Sequence, residues 1–276
     1  MTTLFPRGTD APAQSPLFWV NNKDRYLRQL LIADIQAETQ RDLLVYFTSD
    51  HSNAQIDGGD DIYLSELLSA RTSDQVDLMI ETPGGYTDAT EKVCSILRNA
   101  KVDLRVVVPR KAKSNGTVIA FCGNSIVMGR DSELGPIDPF VNNIPADYLV
   151  KLPPGTPGLD PILVLHAQSG ISQTTRLAEM LLSTGMLTGE KPDVIKVLVK
   201  KLAARDQYHS HGAVIDASEA ISLGLKVDLL AVDSTLWQKF WLLRTMYAYD
   251  CQHREYAKLF ESAKISSPVA QIPQNK

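Results

Sequence analysis

Cysteine is scarce in this chain: three in 276 residues, at Cys94, Cys122 and Cys251. None has CxxC spacing, so a disulfide framework and metal binding are not expected, and an odd number in apolar or helical contexts reads as buried, reduced thiols of the cytoplasm. An excess of positive charge is also missing. The formal net charge is −4, which gives no electrostatic footprint for nucleic acid. The basic stretch Arg110, Lys111 and Lys113 holds too few charges to dominate a surface. No apolar run reaches the ~20 residues of a membrane span. Leu236 to Tyr249 comes nearest, and Gln238, Lys239 and Arg244 interrupt it. Near the start, Arg7, Asp10 and several prolines stand where an apolar signal core would be, so export is not expected.

What is present is the composition of an ordinary globular protein, 44% hydrophobic and 22% charged, long enough for one substantial α/β core. Residues 1–20 read as a flexible N-terminal arm, 21–265 as a single domain, and 266–276 as a disordered tail. Asn22 to Gln40 carries a helical stripe of Leu27, Leu30, Leu31 and Ile35. The short runs Leu43–Phe47, Val76–Ile80, Leu104–Val108 and Ser125–Met128 read as buried parallel strands. Helical patterns over Ile62–Ala70, Thr87–Arg98 and Thr117–Phe121 lie between them. The β-α-β alternation implies right-handed crossovers and a parallel sheet. Pro145–Leu152 and Asp216–Leu223 read as short helices. Ile162–Leu187 and Lys191–Ala204 read as a protruding helical arm (about 160–205), and Ser234–Ala263 as an amphipathic terminal helix. His166 sits in an apolar run and reads as a core histidine.

Two segments carry the chemistry. Glu81-Thr82-Pro83-Gly84-Gly85 and Lys113-Ser114-Asn115-Gly116-Thr117 each stand where a strand pattern gives way to a helix pattern. Ligands bind outside the carboxyl ends of strands in such sheets. Two such turns can aim backbone N–H groups at one point, as an oxyanion requires, with the Ser114 hydroxyl beside it. Ser114 is equally a favoured helix-cap type, and the two roles compete for one oxygen. Lys113 is expected to meet solvent or a substrate carboxylate.

Ile80 to Gly85 resembles the strand-Pro-Gly-Gly turn of the Clp-protease/crotonase superfamily, the clan of ClpP and signal peptide peptidase A. Val108 to Thr117 is similar to the serine-bearing turn of its serine dehydrogenase proteinase-like members. Ile126–Gly129, Ser132–Pro139, His211–Ile215 and Ala220–Leu225 resemble that subfamily's later blocks, in order. The resemblance implies a ClpP/crotonase-like parallel-sheet spiral of β-β-α units with a helical arm and a C-terminal helix. It implies a serine endopeptidase with Ser114 as nucleophile and the Gly85 and Asn115 amides as oxyanion hole. Gly84 and Gly116 beside them are read as substrate-binding positions. It also implies homo-oligomers acting on peptide or protein substrates without a cofactor, any ATP dependence residing in a partner unfoldase or delivery protein.

The base stays open. The stretch Leu134–Pro139, where ClpP proper places its histidine, has none. His211 matches a histidine of the resembling subfamily, and an imidazole titrates in a range suited to a general base. Lys151 is the candidate by analogy with signal peptide peptidases. Asp138 either orients a base or turns the chain before Pro139. Two other readings stand beside the peptidase: a catalytically silent scaffold of the same fold, and a crotonase-like enzyme of acyl-CoA substrates.

Overall fold

A computed structural model describes residues 14–50 and 54–271. In chain order the first half holds α1 (Pro16–Asn21), α2 (Lys23–Thr39), β1 (Asp42–Thr48), α3 (Asp60–Ser69), β2 (Gln75–Glu81), α4 (Thr87–Asn99), β3 (Asp103–Val108), β4 (Lys111–Ala112), α5 (Asn115–Ala120), β5 (Ser125–Met128) and β6 (Glu133–Leu134). Then follow β7 (Phe140–Val141), β8 (Ile144–Pro145), α6 (Ala146–Lys151), α7 (Pro161–Thr184), α8 (Pro192–Ala203), α9 (Ala217–Ser222), β9 (Val227–Leu229), α10 (Thr235–His253), β10 (Tyr256–Glu261) and β11 (Ser266–Ala270).

The central sheet has the order β11-β10-β1-β2-β3-β5-β9. Strands β1, β2, β3, β5 and β9 run parallel, and β10 and β11 extend the sheet antiparallel beyond β1. Side chains alternate between the two faces, as the pleat dictates. Tyr46, Ile80, Val106 and Met128 enter one core, while Val45, Met79, Val107 and Val127 enter the other. Both faces are covered, which is why these strands read as continuous apolar runs. Helices α2 and α10 cover the second face through Ile32, Ile35, Phe240, Leu243 and Tyr247. Helices α3, α4, α5, α7 and α8 cover the first. Each large apolar side chain buried in this way contributes about 1.5–3 kcal/mol.

Five expectations need correction. Residues 16–20 of the predicted arm form α1, whose Trp19 is buried and packs on Tyr26 with ring centroids 4.7 Å apart; residues 1–13 lie outside the described residues. The predicted helix over 234–263 ends at His253, and Glu255, at φ 55°, turns the chain into β10. The predicted tail begins instead with β11, because β10 offers it an edge to pair with; residues 272–276 lie outside the described residues. The helical arm is only partly an arm. The second half of α7 and most of α8 join the main core through Leu177, Leu181, Leu182, Ile195 and Leu198. The first turns of α7 pack on α6, where Ala167 is buried and His166 is exposed.

The carboxyl ends of β2 and β3 deliver the chain to the two glycine turns, so both turns sit at the same end of the parallel strands. A short parallel pair, β4 and β6, adjoins them, and a bridge from Thr82 to Ala112 ties the first turn to the second.

Candidate active site

The Pro-Gly-Gly turn and the serine turn touch because glycine lets them. Gly84 has φ 107°, and a Cβ there would lie 2.7 Å from Ser114 Cβ. At Gly85 close approach is the constraint: a Cβ would fall 2.3 Å from the Ile56 carbonyl oxygen. Ile56 N–H donates to Gly84 O at 2.8 Å, and Tyr86 N–H donates to Ile56 O at 3.0 Å. In such a parallel bridge the skipped residue turns its own N–H and C=O to the opposite side. Gly85 N–H donates to no hydrogen bond among the described residues.

Ser114 stands between β4 and α5 with φ 52° and ψ −123°. A residue with a side chain held there costs about 1–3 kcal/mol, a strain that persists only where the surroundings impose it. They do. Thr117 Oγ1 donates to Ala112 O at 2.7 Å and accepts from Gly135 N–H at 3.0 Å, pinning both sides of the turn. Gly116 packs so closely that a Cβ would meet Thr82 Cγ2 at 2.4 Å. Although Ser114 occupies the helix-cap position, its side chain makes no capping hydrogen bond. Its oxygen is therefore not used as a cap, and Ser114 lines the cleft. Asn115 opens α5, where the first amides lack intrahelical acceptors, and its N–H donates to no hydrogen bond among the described residues. Its side chain does something the sequence did not announce: Nδ2 donates to Gly85 O at 2.6 Å and binds the two turns together.

A histidine–carboxylate pair comes from far along the chain. His211 Nδ1 lies 2.7 Å from Asp138 Oδ1. A carboxylate only accepts, so the proton on this edge belongs to Nδ1, and in the neutral ring the lone pair is then on Nε2. Asp138 is fully buried, and its other oxygen lies 2.6 Å from Arg205 Nε. That contact is an ion pair in which the N–H does not align as a hydrogen bond. Arg205 offsets the cost of burying the Asp138 charge. Its guanidinium also sits 5.3 Å over the Phe140 ring and donates to His209 O at 3.1 Å. Phe140 meets the His211 ring edge-on at 4.8 Å. No hydrogen bond joins Ser114 to His211 among the described residues.

Ser114, Asn115, Gly84, Gly85, Asp138 and His211 line one cleft of about 520 Å³. Gly116 does not; it is a packing position under Thr82. Nor does Lys151. Exposed at the last residue of α6, it pairs with Asp147 at 2.8 Å and Asp206 at 2.6 Å. Hydrogen bonds to those carboxylates raise its pKa, opposite to what a neutral base at physiological pH requires. Lys113 corrects another expectation. Its Nζ reaches Glu133 at 2.9 Å, Leu134 O at 3.1 Å and Ala213 O at 2.9 Å, so it braces the serine turn against the His211 loop. Arg205 and Phe140 were missed. Only the neighbourhood of His209 and His211 hinted at the first, and nothing local marks the second.

A family model described as ClpP-like SDH-type serine proteinase matches residues 54–259. An uncharacterized protein of Methanocaldococcus jannaschii is 31% identical over 170 residues, covering 60% of this chain and 57% of that protein. A second from the same organism is 37% identical over 76 residues, covering 28% and 26%. The chain thus spans little more than half the length of the first of these relatives and about a quarter of the second. Among solved structures, a ClpP1 mutant from Listeria monocytogenes aligns with a TM-score of 0.48 at 15% identity, over 76% of this chain and 99% of that one. A mutant of the membrane-bound stomatin-specific protease 1510-N aligns with a TM-score of 0.47 at 16% identity, over 72% and 84%. With the family's model matched from Ala54 to Leu259, a stretch that holds both glycine turns, Asp138 and His211, this chain belongs to the ClpP-like SDH-type serine proteinases.

Proposed function

We propose that the protein is a serine endopeptidase that cleaves peptide bonds through an acyl-enzyme on Ser114. The observation that carries the reading is the pairing of His211 with buried Asp138 in the same cleft as Ser114, whose hydroxyl is uncommitted. Ser114 Oγ attacks the peptide carbonyl carbon, and His211 Nε2 takes its proton. Asp138 stabilises the resulting imidazolium. The Gly85 and Asn115 amides hold the oxyanion, each such donor being worth about 2.7–4 kcal/mol in the transition state. The C–N bond then breaks, and His211 delivers the proton to the leaving amine. Water attacks the ester, His211 takes the water's proton, and Ser114 leaves with it. The missing Ser114–His211 hydrogen bond is compatible with this role, because such contacts often tighten only with substrate bound.

The strain at Ser114 and the His211–Asp138 pair have no use in acyl-CoA chemistry that proceeds without a nucleophile, and none in a silent scaffold. The proposal includes assembly as a homo-oligomer, with exposed Ile162 and Leu165 of α7 as contact residues. It also includes action on polypeptides in the cytoplasm, with delivery by a separate unfoldase. Among the described residues no helix is long and apolar enough to cross a membrane.

Digestion of a fluorescently labelled, unfolded polypeptide tests the reading. Ser114→Ala and His211→Ala are expected to abolish it while leaving the fold intact. Undiminished activity in a folded Ser114→Ala variant would overturn the nucleophile assignment.

A further inference from the structure

A buried lysine outside the cleft has no part in the chemistry just described. Lys258, on β10, is 2% exposed. Its Nζ donates to Asp57 Oδ2 at 2.7 Å and to both oxygens of Asp60, at 2.7 and 2.9 Å. Asp60 is itself 2% exposed and accepts from the Tyr46 hydroxyl and from Asp57 N–H, the latter at 2.9 Å. Replacing such a network with apolar packing generally costs a fold little. Its presence here therefore calls for a reason other than stability.

That reason lies one residue away. Asp57 follows Ile56, whose N–H and C=O grip Gly84 O and Tyr86 N–H on either side of Gly85. This grip sets the side to which Gly85 turns its own amide. It is the same side on which Asn115 Nδ2 reaches Gly85 O. The segment around Ile56 has little else of regular structure: its bridge to Gly85 stands outside the named strands. Its far end is anchored by Asp57 and Asp60, and both are anchored by Lys258.

We propose that Lys258 is a positioning residue for the oxyanion turn, acting from β10 through Asp57 and Asp60 on Ile56 and so on the direction of the Gly85 amide. The inference rests on the peptidase reading for its catalytic consequence, though not for the mechanical link. It assigns a catalytic purpose to the antiparallel extension of the sheet, which contributes no residue to the cleft's chemistry. Arginine in place of Lys258 keeps both carboxylates neutralised, whereas methionine keeps the length and removes the tie.

Two measurements on full-length protein test it. The first is hydrogen exchange at the Ile56 and Tyr86 amides, which needs no activity. In Lys258→Met these amides are expected to exchange at least about tenfold faster, with the amides of β2 and β3 unchanged and with Lys258→Arg close to wild type. The second is the saturation kinetics of labelling by a fluorophosphonate. The maximum inactivation rate is expected to fall about 10- to 100-fold in Lys258→Met at an unchanged half-saturating concentration, since a donor displaced by a fraction of an ångström loses part of its effect. Lys258→Arg is expected to restore the rate to within about threefold of wild type, a rescue that a purely volumetric role would not give. If Lys258→Met does not fold, Asp57→Asn, which cuts one of the two anchors, is read by the same criteria. Wild-type exchange at Ile56 and Tyr86 in a folded variant would overturn the proposal, as would a wild-type inactivation rate or a loss confined to the half-saturating concentration. Were wild type inert to the probe while exchange at Ile56 and Tyr86 rose as expected, the peptidase reading would fall and the mechanical link would stand.

Discussion

The two halves of the cleft are built differently. The half formed by Gly84, Gly85, Ser114 and Asn115 is largely backbone, set at the ends of adjacent parallel strands. Its parts are fixed by positive φ at Gly84 and Ser114 and by the close approach of Gly85 to Ile56. The half formed by Asp138, Arg205 and His211 is side chain throughout, and its members lie 73 residues apart at Asp138 and His211. One half is positioned by what glycine permits, the other by a buried charge network. Lys113 and Asn115 are the braces. Lys113 reaches from the serine turn to the carbonyl of Ala213, and Asn115 links the two backbone turns. Backbone geometry held by close packing and several ties shifts only in part when one side-chain tie is lost. A charge network fails when one member goes, because the others stay buried without a partner.

Changes to the side-chain half should therefore have the larger effect. Asp138→Asn is expected to lower hydrolysis by about 10³–10⁴-fold, through loss of the imidazole's orientation. It should also destabilise the fold by about 3–5 kcal/mol, because Arg205 is left buried without its counter-charge. Steady-state kinetics and chemical denaturation check both. In the backbone half, Gly85→Ala pushes Ile56 away and is expected to cost about 10²–10³-fold in kcat. Asn115→Ala keeps the amide and loses only the cross-turn tie, so a drop of about tenfold is expected, read in kcat with KM unchanged. A loss as great as that of Gly85→Ala would mean the two turns do not hold themselves apart from this bond. Ser114→Gly should exceed Ser114→Ala in stability by about 0.5–1 kcal/mol in thermal unfolding, as glycine relaxes φ 52°. The smallest effect is expected from Lys151→Ala. With its ammonium held by Asp147 and Asp206 outside the cleft, hydrolysis should stay within about twofold of wild type, as is usual for exposed ion pairs away from a site.

The same contrast governs what was legible in the sequence. The parallel strands and both turns were readable because the cause is local. Strands covered on both faces are continuous apolar runs, and a sharp turn at a strand end declares itself in glycine. The strain at Ser114 was not readable, since it depends on Thr117 and Gly135 holding the turn from both sides. Asp138 and His211 could each be named, but not paired, because nothing in a one-dimensional pattern brings Ser132–Pro139 to the loop after α8. Arg205 had only the nearby His209 and His211 to hint at it, and Phe140 lacked even that. At the C-terminus, the helical pattern of α10 ran on in reading into Tyr256–Glu261, whose strand character comes from the edge that β1 presents. There the tertiary partner outweighed local propensity.

The central claim is that Ser114 is an activated nucleophile. Labelling wild type and Ser114→Ala with a fluorophosphonate, and locating the adduct by mass spectrometry, tests it most directly. One adduct is expected, on Ser114, absent from Ser114→Ala and strongly slowed in His211→Ala. A folded wild-type protein that takes up no probe, or takes it up at another serine, would contradict it.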